Sequence, residues 1–471
     1  MKPKNVLLLF PKFEDGFVMG KVPLGLAYIA SSLQKRGHYV EAYNLVVDPI
    51  EEIDFDKFEY VGITCLTAFI SHVRELVTYV KNKNPNIITV VGGSHPSMKI
   101  KDSLLISEHI DYVVSGEGEV VMGLIVESEN PKKDNIPGLY YLENGEAKGL
   151  PPNPKFNLDE LPFPNQRIFD HGHLEKRNPF RAIAATRGCP FQCFNCQPYL
   201  RNLFSFKKRS PQNIINEMVY LQREYGQDYF GFVDSEFPID KKWFLDFYDL
   251  VKKEKLEFNF HCNAFSKLID EDIVKRYKDM NITRLAIGVE SGNQHVIDNV
   301  LHKGINLEKT KGVFELVDRY GINSHAYFMV GIPGETLENM EETLQYALQL
   351  PATSVEFNIL TPWPGTRFHD MGMENGWINK DYKYEEYNEK RIAVMSTDKW
   401  NGQDVINFHK KACEAFVAKG WRGAADGTVF SEKVPHFLVR KKLKRLNPSF
   451  TWRIRDVTQD NRSRFLYSGK R

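Results

Sequence analysis

Three cysteines, Cys189, Cys193 and Cys196, stand four and three residues apart in the stretch R-G-C-P-F-Q-C-F-N-C-Q. Three thiolates on one short loop can hold three irons of a cubic iron–sulfur cluster, which four cysteines usually hold. The missing fourth ligand leaves one iron open to a substrate. A structural zinc knuckle with Cys262 or His261 as fourth ligand is the competing reading. Zinc sites favour a C-x2–4-C pair followed by a second, distant pair. One compact triad without a second pair fits that pattern poorly. The mostly apolar residues 181–186 predict a strand that ends near the first cysteine and delivers the loop.

The remainder of the chain must position that loop. Its 471 residues suffice for two or three domains, and 42% hydrophobic with 26% charged content is ordinary for a globular protein. A net charge of +1 gives no general attraction to nucleic acid or anionic membranes, so no nucleic-acid partner is expected. No apolar run approaches the roughly 18 residues that span a bilayer. The run V-L-L-L-F near the start lacks the length and cleavage site of a signal peptide and reads as a buried strand. Of the six cysteines, three are clustered and three, Cys65, Cys262 and Cys413, are isolated, which is not a disulfide framework. A reducing, cytoplasmic location is expected.

Residues 1–130 alternate apolar strands (5–10, 38–43, 60–64, 87–91, 111–114) with helical segments (23–36, 70–83 and from about 119). This predicts a doubly wound, Rossmann-like parallel sheet of the flavodoxin-like kind, with its ligand at the carboxyl ends of the strands. The loops there are small and polar. They hold Thr64, then Gly92, Gly93 and His95, then Gly116 and Glu117. Glycines let a backbone approach a flat ligand or a phosphate. A dinucleotide domain fits badly, because no G-x-G-x-x-G follows the first strand. Residues 131–178 are proline-rich and read as a stiff linker with a small hairpin near 140–145.

Residues 179–380 contain six strand–helix units, which predict a partial (β/α)6 barrel of the TIM type with its chemistry at the strands' carboxyl ends. Polar residues gather there. Asp234 and Glu236 follow the second strand, His261, Cys262 and Asn263 end the third, and Glu290 and Ser291 follow the fourth. Gly331, Gly334 and Glu335 follow the fifth. Each alone is an ordinary turn or helix cap. Their succession behind a cysteine triad is specific. Residues 381–471 are expected to be mostly helical and carry no chemistry motif.

The triad and the loops behind it resemble the radical S-adenosylmethionine enzymes. The first third resembles the cobalamin-binding domain that one large class carries ahead of the radical domain. The matching pieces are P-L-G-L-A-Y-I-A, V-G-I-T, V-G-G-S-H-P-S and S-G-E-G-E, with L-D-E-L-P-F-P between the domains. The resemblance implies a [4Fe–4S] cluster on the three cysteines, with S-adenosylmethionine chelated at the open iron and split to a 5′-deoxyadenosyl radical. It implies Asp234 or Glu236 at the methionine amine and Glu290 and Ser291 near the carboxylate and ribose. Gly331, Gly334 and Glu335 would lie beside the adenosine. The family usually carries an aromatic residue just before the third cysteine. Asn195 stands there and Phe194 precedes it, so adenine stacking is assigned to neither. Cobalamin would sit on the rim formed by Thr64, Gly92, Gly93, His95, Gly116 and Glu117. It would be base-off, because no D-x-H-x-x-G supplies an axial histidine. The D-H-G-H at 170–173 lies outside that domain with the wrong spacing, and His95 reads as a loop histidine tied to backbone.

The function expected from the resemblance is methylation of an unactivated carbon of a small-molecule or lipid-like substrate through methylcobalamin. A reductant such as flavodoxin or ferredoxin would feed the cluster. The alternative is a radical cyclisation, ring contraction or carbon–carbon coupling without methyl transfer. A non-catalytic corrinoid- or zinc-binding protein is the reading from another class. Residues 436–455 are strongly basic, with Phe450 and Trp452 near their end. They read either as a solvated helix packed on the barrel or as a peripheral contact with an anionic membrane.

Overall fold

The computed structural model describes residues 2–12, 22–153, 157–173, 180–197, 206–379, 381–384, 387, 392–423 and 428–431. The basic segment 436–455 lies outside them.

The first sheet is built from β1 (Asn5–Phe10), β2 (Tyr39–Asn44), β3 (Tyr60–Thr64), β4 (Ile88–Gly92), β5 (Tyr112–Val114), β6 (Leu139–Glu143) and β7 (Glu146–Gly149). Their order is β2-β1-β3-β4-β5-β6-β7, and the first five run parallel. This is the flavodoxin-like doubly wound arrangement, whose order reverses between β1 and β3. Val6 to Leu9 are at most 1% exposed, because helices cover both faces of a parallel strand. The hairpin expected in the linker is present and is part of this sheet. β6 pairs antiparallel with β5, so the first sheet runs on to Gly149.

The second sheet contains β8 (Phe180–Ile183), β11 (Tyr229–Phe232), β12 (Asn259–Ala264), β13 (Ile282–Glu290), β14 (Ser324–Val330) and β15 (Ser354–Ile359), all parallel. Helices between them bury one face. Pro211–Tyr225 begins on Ser210, whose Oγ accepts from Asn213 N, and ends at left-handed Gly226. The short β9 (Thr186–Arg187) and β10 (Lys207–Lys208) form a separate antiparallel pair at the base of the cysteine loop.

Two boundaries differ from expectation. The first barrel strand stops at Ile183 rather than running to residue 186. The buried Asp234 carboxylate accepts from Ala185 N at 3.1 Å and from Thr186 N at 2.5 Å, which takes those donors out of the sheet. Beyond residue 380 the described chain is a helix, Gly402–Ala418, followed by β16 (Arg422–Gly423) and β17 (Thr428–Phe430). β17 pairs antiparallel with β15 and covers the edge that six parallel strands would leave open.

Candidate active site

The cysteine loop is pinned by its own phenylalanines. The Phe191 ring packs on Phe265 after β12 at 4.2 Å, and the Phe194 ring on His302 after β13 at 4.1 Å. Phe194 N donates to Leu301 O at 3.0 Å, and Cys196 N to Cys193 O at 3.1 Å, closing a turn around the triad. Asn195 reaches across to Met329 Sδ on β14 at 3.6 Å. Cys189 is buried and Cys193 and Cys196 half-buried. Burial pushes the Cys189 thiol up to about 11, against a lowering backbone hydrogen bond from Phe191. Burial raises Cys193 also, and the Lys303 ammonium opposes it.

Neither zinc alternative turns toward this loop. Cys262 is 2% exposed and sits in the barrel core, with Sγ 3.8 Å from Phe237 O. His261 Nδ1 is 3.3 Å from the Tyr229 hydroxyl, near the start of β11. Among the described residues no three His, Cys, Asp or Glu side chains converge as one metal ion requires. A cubic cluster gives each thiolate its own iron, so its ligands stand farther apart.

Beside the triad lies a set of buried charges. Lys303 Nζ pairs with Glu290 Oε1 at 2.9 Å, with side chains 8% and 15% exposed. Burial alone would lower the lysine, but Glu290, Cys193 and Glu236 hold it above its ordinary range. Glu290 adopts a left-handed backbone with φ 73°, a conformation that costs a non-glycine residue energy and occurs where a side chain must be aimed. Gly288 makes room for it, since a Cβ there would stand 2.4 Å from Glu290 Oε1 and 3.1 Å from Lys303 Nζ. Burial pushes Glu236 up to about 8, with Lys303 lowering it. Burial likewise pushes Glu335 up to about 8, although its Oε1 accepts from Ile332 N at 2.8 Å. Glu236 Oε2 and Glu335 Oε2 are buried and have no hydrogen-bond partner among the described residues.

Two of the expected contacts are taken up by the fold. Both Asp234 oxygens accept from groups just after the first barrel strand, including Thr186 Oγ1 at 2.6 Å, so Asp234 anchors the chain that carries the triad. Burial still raises it to about 6. Ser291 is fully buried, with Oγ 3.2 Å from Thr343 Oγ1 and accepting from Asn293 N at 3.2 Å. Gly331 and Gly334 have φ 78° and 98° and turn the chain so that Glu335 folds back under it.

The rim of the first sheet brings its three loops together. Cys65 N donates to Gly92 O at 2.6 Å, and His95 N to Cys65 O at 3.2 Å. Ser97 Oγ accepts from Gly116 N at 3.2 Å and donates to Gly93 O at 2.8 Å. Thr64 Oγ1 and Cys65 O crowd Gly93, where a Cβ would stand 3.1 Å and 2.7 Å from them and φ is 120°. His95 Nδ1 meets Thr67 Oγ1 at 3.2 Å, while Nε2 is buried without a hydrogen-bond partner among the described residues. Burial depresses this histidine to about 4, so it is neutral. His171 of the D-H-G-H stretch stacks on Tyr43 at 4.0 Å and contacts Ala42 O at 2.8 Å, on the edge strand β2, two places from β3 in the sheet. Glu117, expected on the rim, turns instead to the second domain and pairs with Arg187.

Residues 183–347 match the Radical SAM superfamily, and residues 21–126 the B12 binding domain. The chain belongs to the radical SAM superfamily. It is 29% identical over 392 residues to an uncharacterized methyltransferase of Pyrococcus horikoshii, covering 80% of this chain and 85% of that one. It is 27% identical to the anaerobic magnesium-protoporphyrin IX monomethyl ester cyclase of Rubrivivax gelatinosus, covering 82% and 72%. In fold it is similar to the radical S-adenosylmethionine methyltransferase TsrM from Kitasatospora setae, solved with cobalamin and a [4Fe–4S] cluster. The TM-score is 0.66, with 20% identity and 79% and 78% of the chains covered.

Membership brings a [4Fe–4S] cluster and S-adenosylmethionine to the second domain of this radical SAM enzyme and cobalamin to the first. The residues present fit those groups. The triad lies beside a lysine that favours thiolates. Two buried carboxylate oxygens at the ends of β11 and β14 have no donor among the described residues. At the rim, the buried Nε2 of His95 has no hydrogen-bond partner among the described residues, and Gly93 lets the loops after β3 and β4 close on each other. Sequence reasoning missed Lys303, Arg187 and Met329. Arg187 lies in the R-G-C that opens the triad. Lys303 stands before Gly304, a left-handed turn residue with φ 67°, which was the available signal.

Proposed function

We propose that this radical SAM enzyme is a cobalamin-dependent methyltransferase acting on an unactivated carbon of a small molecule. When bound, the cluster and S-adenosylmethionine supply a carbon-centred radical, and cobalamin supplies the methyl group. Cys189, Cys193 and Cys196 would hold the cluster. Glu236 Oε2 is the acceptor best suited to the methionine amine, and Glu335 Oε2 to donors of the adenosine. Lys303, paired with Glu290, would face the methionine carboxylate. Gly92, Gly93, His95, Thr64 and Gly116 would line the cobalamin rim. The observation that carries the reading is that the segment opening the cysteine loop is joined to the loop after β5 of the B12 binding domain by the ion pair of Arg187 and Glu117.

The barrel interior favours a polar substrate over a lipid-like one. Along β12, β14 and β15, side chains on the helix-covered face are buried, while Asn263, Tyr327, Glu356 and Asn358 on the other face are half-buried. Tyr327 is the register partner of Glu356, and Met329 that of Asn358. Because Asn195 touches Met329, Tyr327 and Glu356 lie one layer below the cysteine loop, about 7 Å along the strands. Thr428 Oγ1 donates to Glu356 at 2.9 Å. No described helix is long and apolar enough to cross a membrane. A cytoplasmic location, an electron donor of the flavodoxin or ferredoxin kind and divisions near residues 178 and 380 remain part of the proposal, while the division expected near residue 130 moves past Gly149, because the hairpin joins the first sheet.

Anaerobic reconstitution of the full chain with iron, sulfide and cobalamin tests the reading. Cluster-dependent release of 5′-deoxyadenosine from S-adenosylmethionine, with cobalamin retained through gel filtration, is expected. A protein that makes 5′-deoxyadenosine but retains no cobalamin would move the assignment to cyclisation or coupling, which the likeness to the cyclase favours. Stoichiometric zinc without 5′-deoxyadenosine would leave a binding protein.

A further inference from the structure

The two domains meet across a cluster of charges. Arg187 stands two residues before Cys189 on β9. Its Nη1 donates to Glu117 Oε2 and its Nη2 to Glu119 Oε1 at 2.5 Å. Lys207, the register partner of Arg187 on β10, lies 3.7 Å from Glu117 Oε1. The guanidinium lies over the Tyr28 ring at 5.1 Å, and the Tyr28 hydroxyl accepts from Arg209 Nη1 at 3.2 Å. Arg209 in turn pairs with Glu217. The side chains of Glu119, Lys207, Arg209 and Glu217 are 4%, 8%, 4% and 0% exposed.

Burying such a set is costly, and apolar packing of similar volume commonly holds two surfaces together as well or better. What the charges add is direction. A guanidinium fork meets carboxylates in its own plane, so the pair specifies an orientation as well as a contact. Glu119 itself is pinned, because its backbone carbonyl accepts from Ser32 Oγ at 3.1 Å and a Cβ on neighbouring Gly118 would stand 2.8 Å from Ile29. Each end of the link adjoins a loop proposed to carry a cofactor site. Glu117 and Glu119 follow Gly116 on the rim, and Arg187 opens the cysteine loop.

We infer that Arg187, held by Glu117 and Glu119, is a positioning residue that sets the cysteine loop against the rim of the first domain at one fixed distance and orientation. The inference rests on the two cofactor sites proposed above. Neither carboxylate is thereby a cobalamin contact. Their role is to hold the radical domain in register with the group bound at the rim.

The test uses full-length protein loaded with cluster and cobalamin and poised so that cob(II)alamin and the reduced cluster are both paramagnetic. Magnetic coupling between them falls steeply with distance, and EPR reads it as faster relaxation and broadening of the cob(II)alamin signal. The wild type is expected to show that enhancement. Arg187→Gln and Glu119→Gln are expected to lose it while keeping wild-type iron and cobalamin content, and Arg187→Lys to recover part of it. Unchanged coupling in Arg187→Gln at full cofactor content overturns the inference. Glu117→Gln, at the most exposed of the three carboxylates with 23%, carries the same test should the buried substitutions not fold. A wild-type protein that takes up only one cofactor overturns the two-cofactor reading and this inference with it.

Discussion

Glu236 and Glu335 are the residues whose environment most needs a ligand. Each keeps one buried oxygen without a donor among the described residues, and an unsatisfied buried polar atom costs about 1–3 kcal/mol. For Glu335 the burial has a measurable consequence. Its carboxyl is raised from 4.5 to about 8, so the folded protein keeps a proton that the unfolded chain gives up. The stability this confers is complete below pH 4.5 and is lost as the pH climbs to about 8. Glu335→Gln should remove that dependence. Denaturant unfolding of both proteins at about pH 5 and about pH 8 should differ by an amount on the order of a few kcal/mol between the two conditions. An identical pH slope in wild type and variant would mean that Glu335 is ionised in the fold. The triad makes a second prediction. Cys189→Ala, Cys193→Ala or Cys196→Ala should each abolish stable cluster uptake, since the cube is already one ligand short of the usual four. Cys65→Ala, Cys262→Ala and Cys413→Ala should keep it. Near-normal iron and sulfide in Cys193→Ala would refute the assignment.

At the scale of elements, the loops after β3, β4 and β5 hold one another, and Gly93 is the point where they come closest. Its φ of 120° and the Cys65 carbonyl 2.7 Å from a would-be Cβ leave no room for a side chain. Gly93→Ala should therefore destabilise the first domain by about 1–3 kcal/mol, the range for one strained backbone position. A fall in thermal midpoint together with weaker cobalamin retention is the expected outcome. An unchanged midpoint would show that the loop relaxes and that Gly93 is not a rigid part of the rim. The barrel shows the same economy of position. Phe191 and Phe194, between the cysteines, anchor the loop beyond the ends of the two neighbouring strands β12 and β13.

Across the whole molecule, the interface between domains is polar and tightly specified. Arg209 and Glu217 are 4% and 0% exposed, and Arg209 reaches Tyr28 of the first domain. Removing one partner of a buried pair leaves an uncompensated charge, and Arg209→Ala should cost roughly 3–5 kcal/mol. The paired replacement Arg209→Met with Glu217→Leu should restore most of that loss, because well-packed apolar residues can replace a buried ion pair. Chemical denaturation of the single and double variants checks this. A single variant as stable as the wild type would mean that solvent reaches the pair and that the domains are held elsewhere.

Periodicity in the sequence was enough to place both sheets, because most of the parallel strands are short, largely apolar runs and the helices between the strands of the second sheet carry side-chain caps, as Ser210, Asp240, Asp270, Asn306 and Thr336 do. Cysteine spacing likewise pointed to the cluster, since ligands on one loop are local in sequence. The left-handed glycines were legible for the same local reason. What the tertiary structure decided were the long-range pairings. Asp234 and Glu236 are two residues apart in one motif, yet Asp234 is taken up by the backbone just after the first barrel strand, while Glu236 keeps an oxygen with no hydrogen-bond partner among the described residues. Glu117 looked like a rim residue because its neighbours are, but its charge is met by Arg187, seventy residues away. β17 found the open edge of β15 from beyond residue 420, although three residues carry no periodicity to announce a strand. Partner choice for a buried charge or an open strand edge depends on what the fold brings near it, and a linear pattern does not contain that distance.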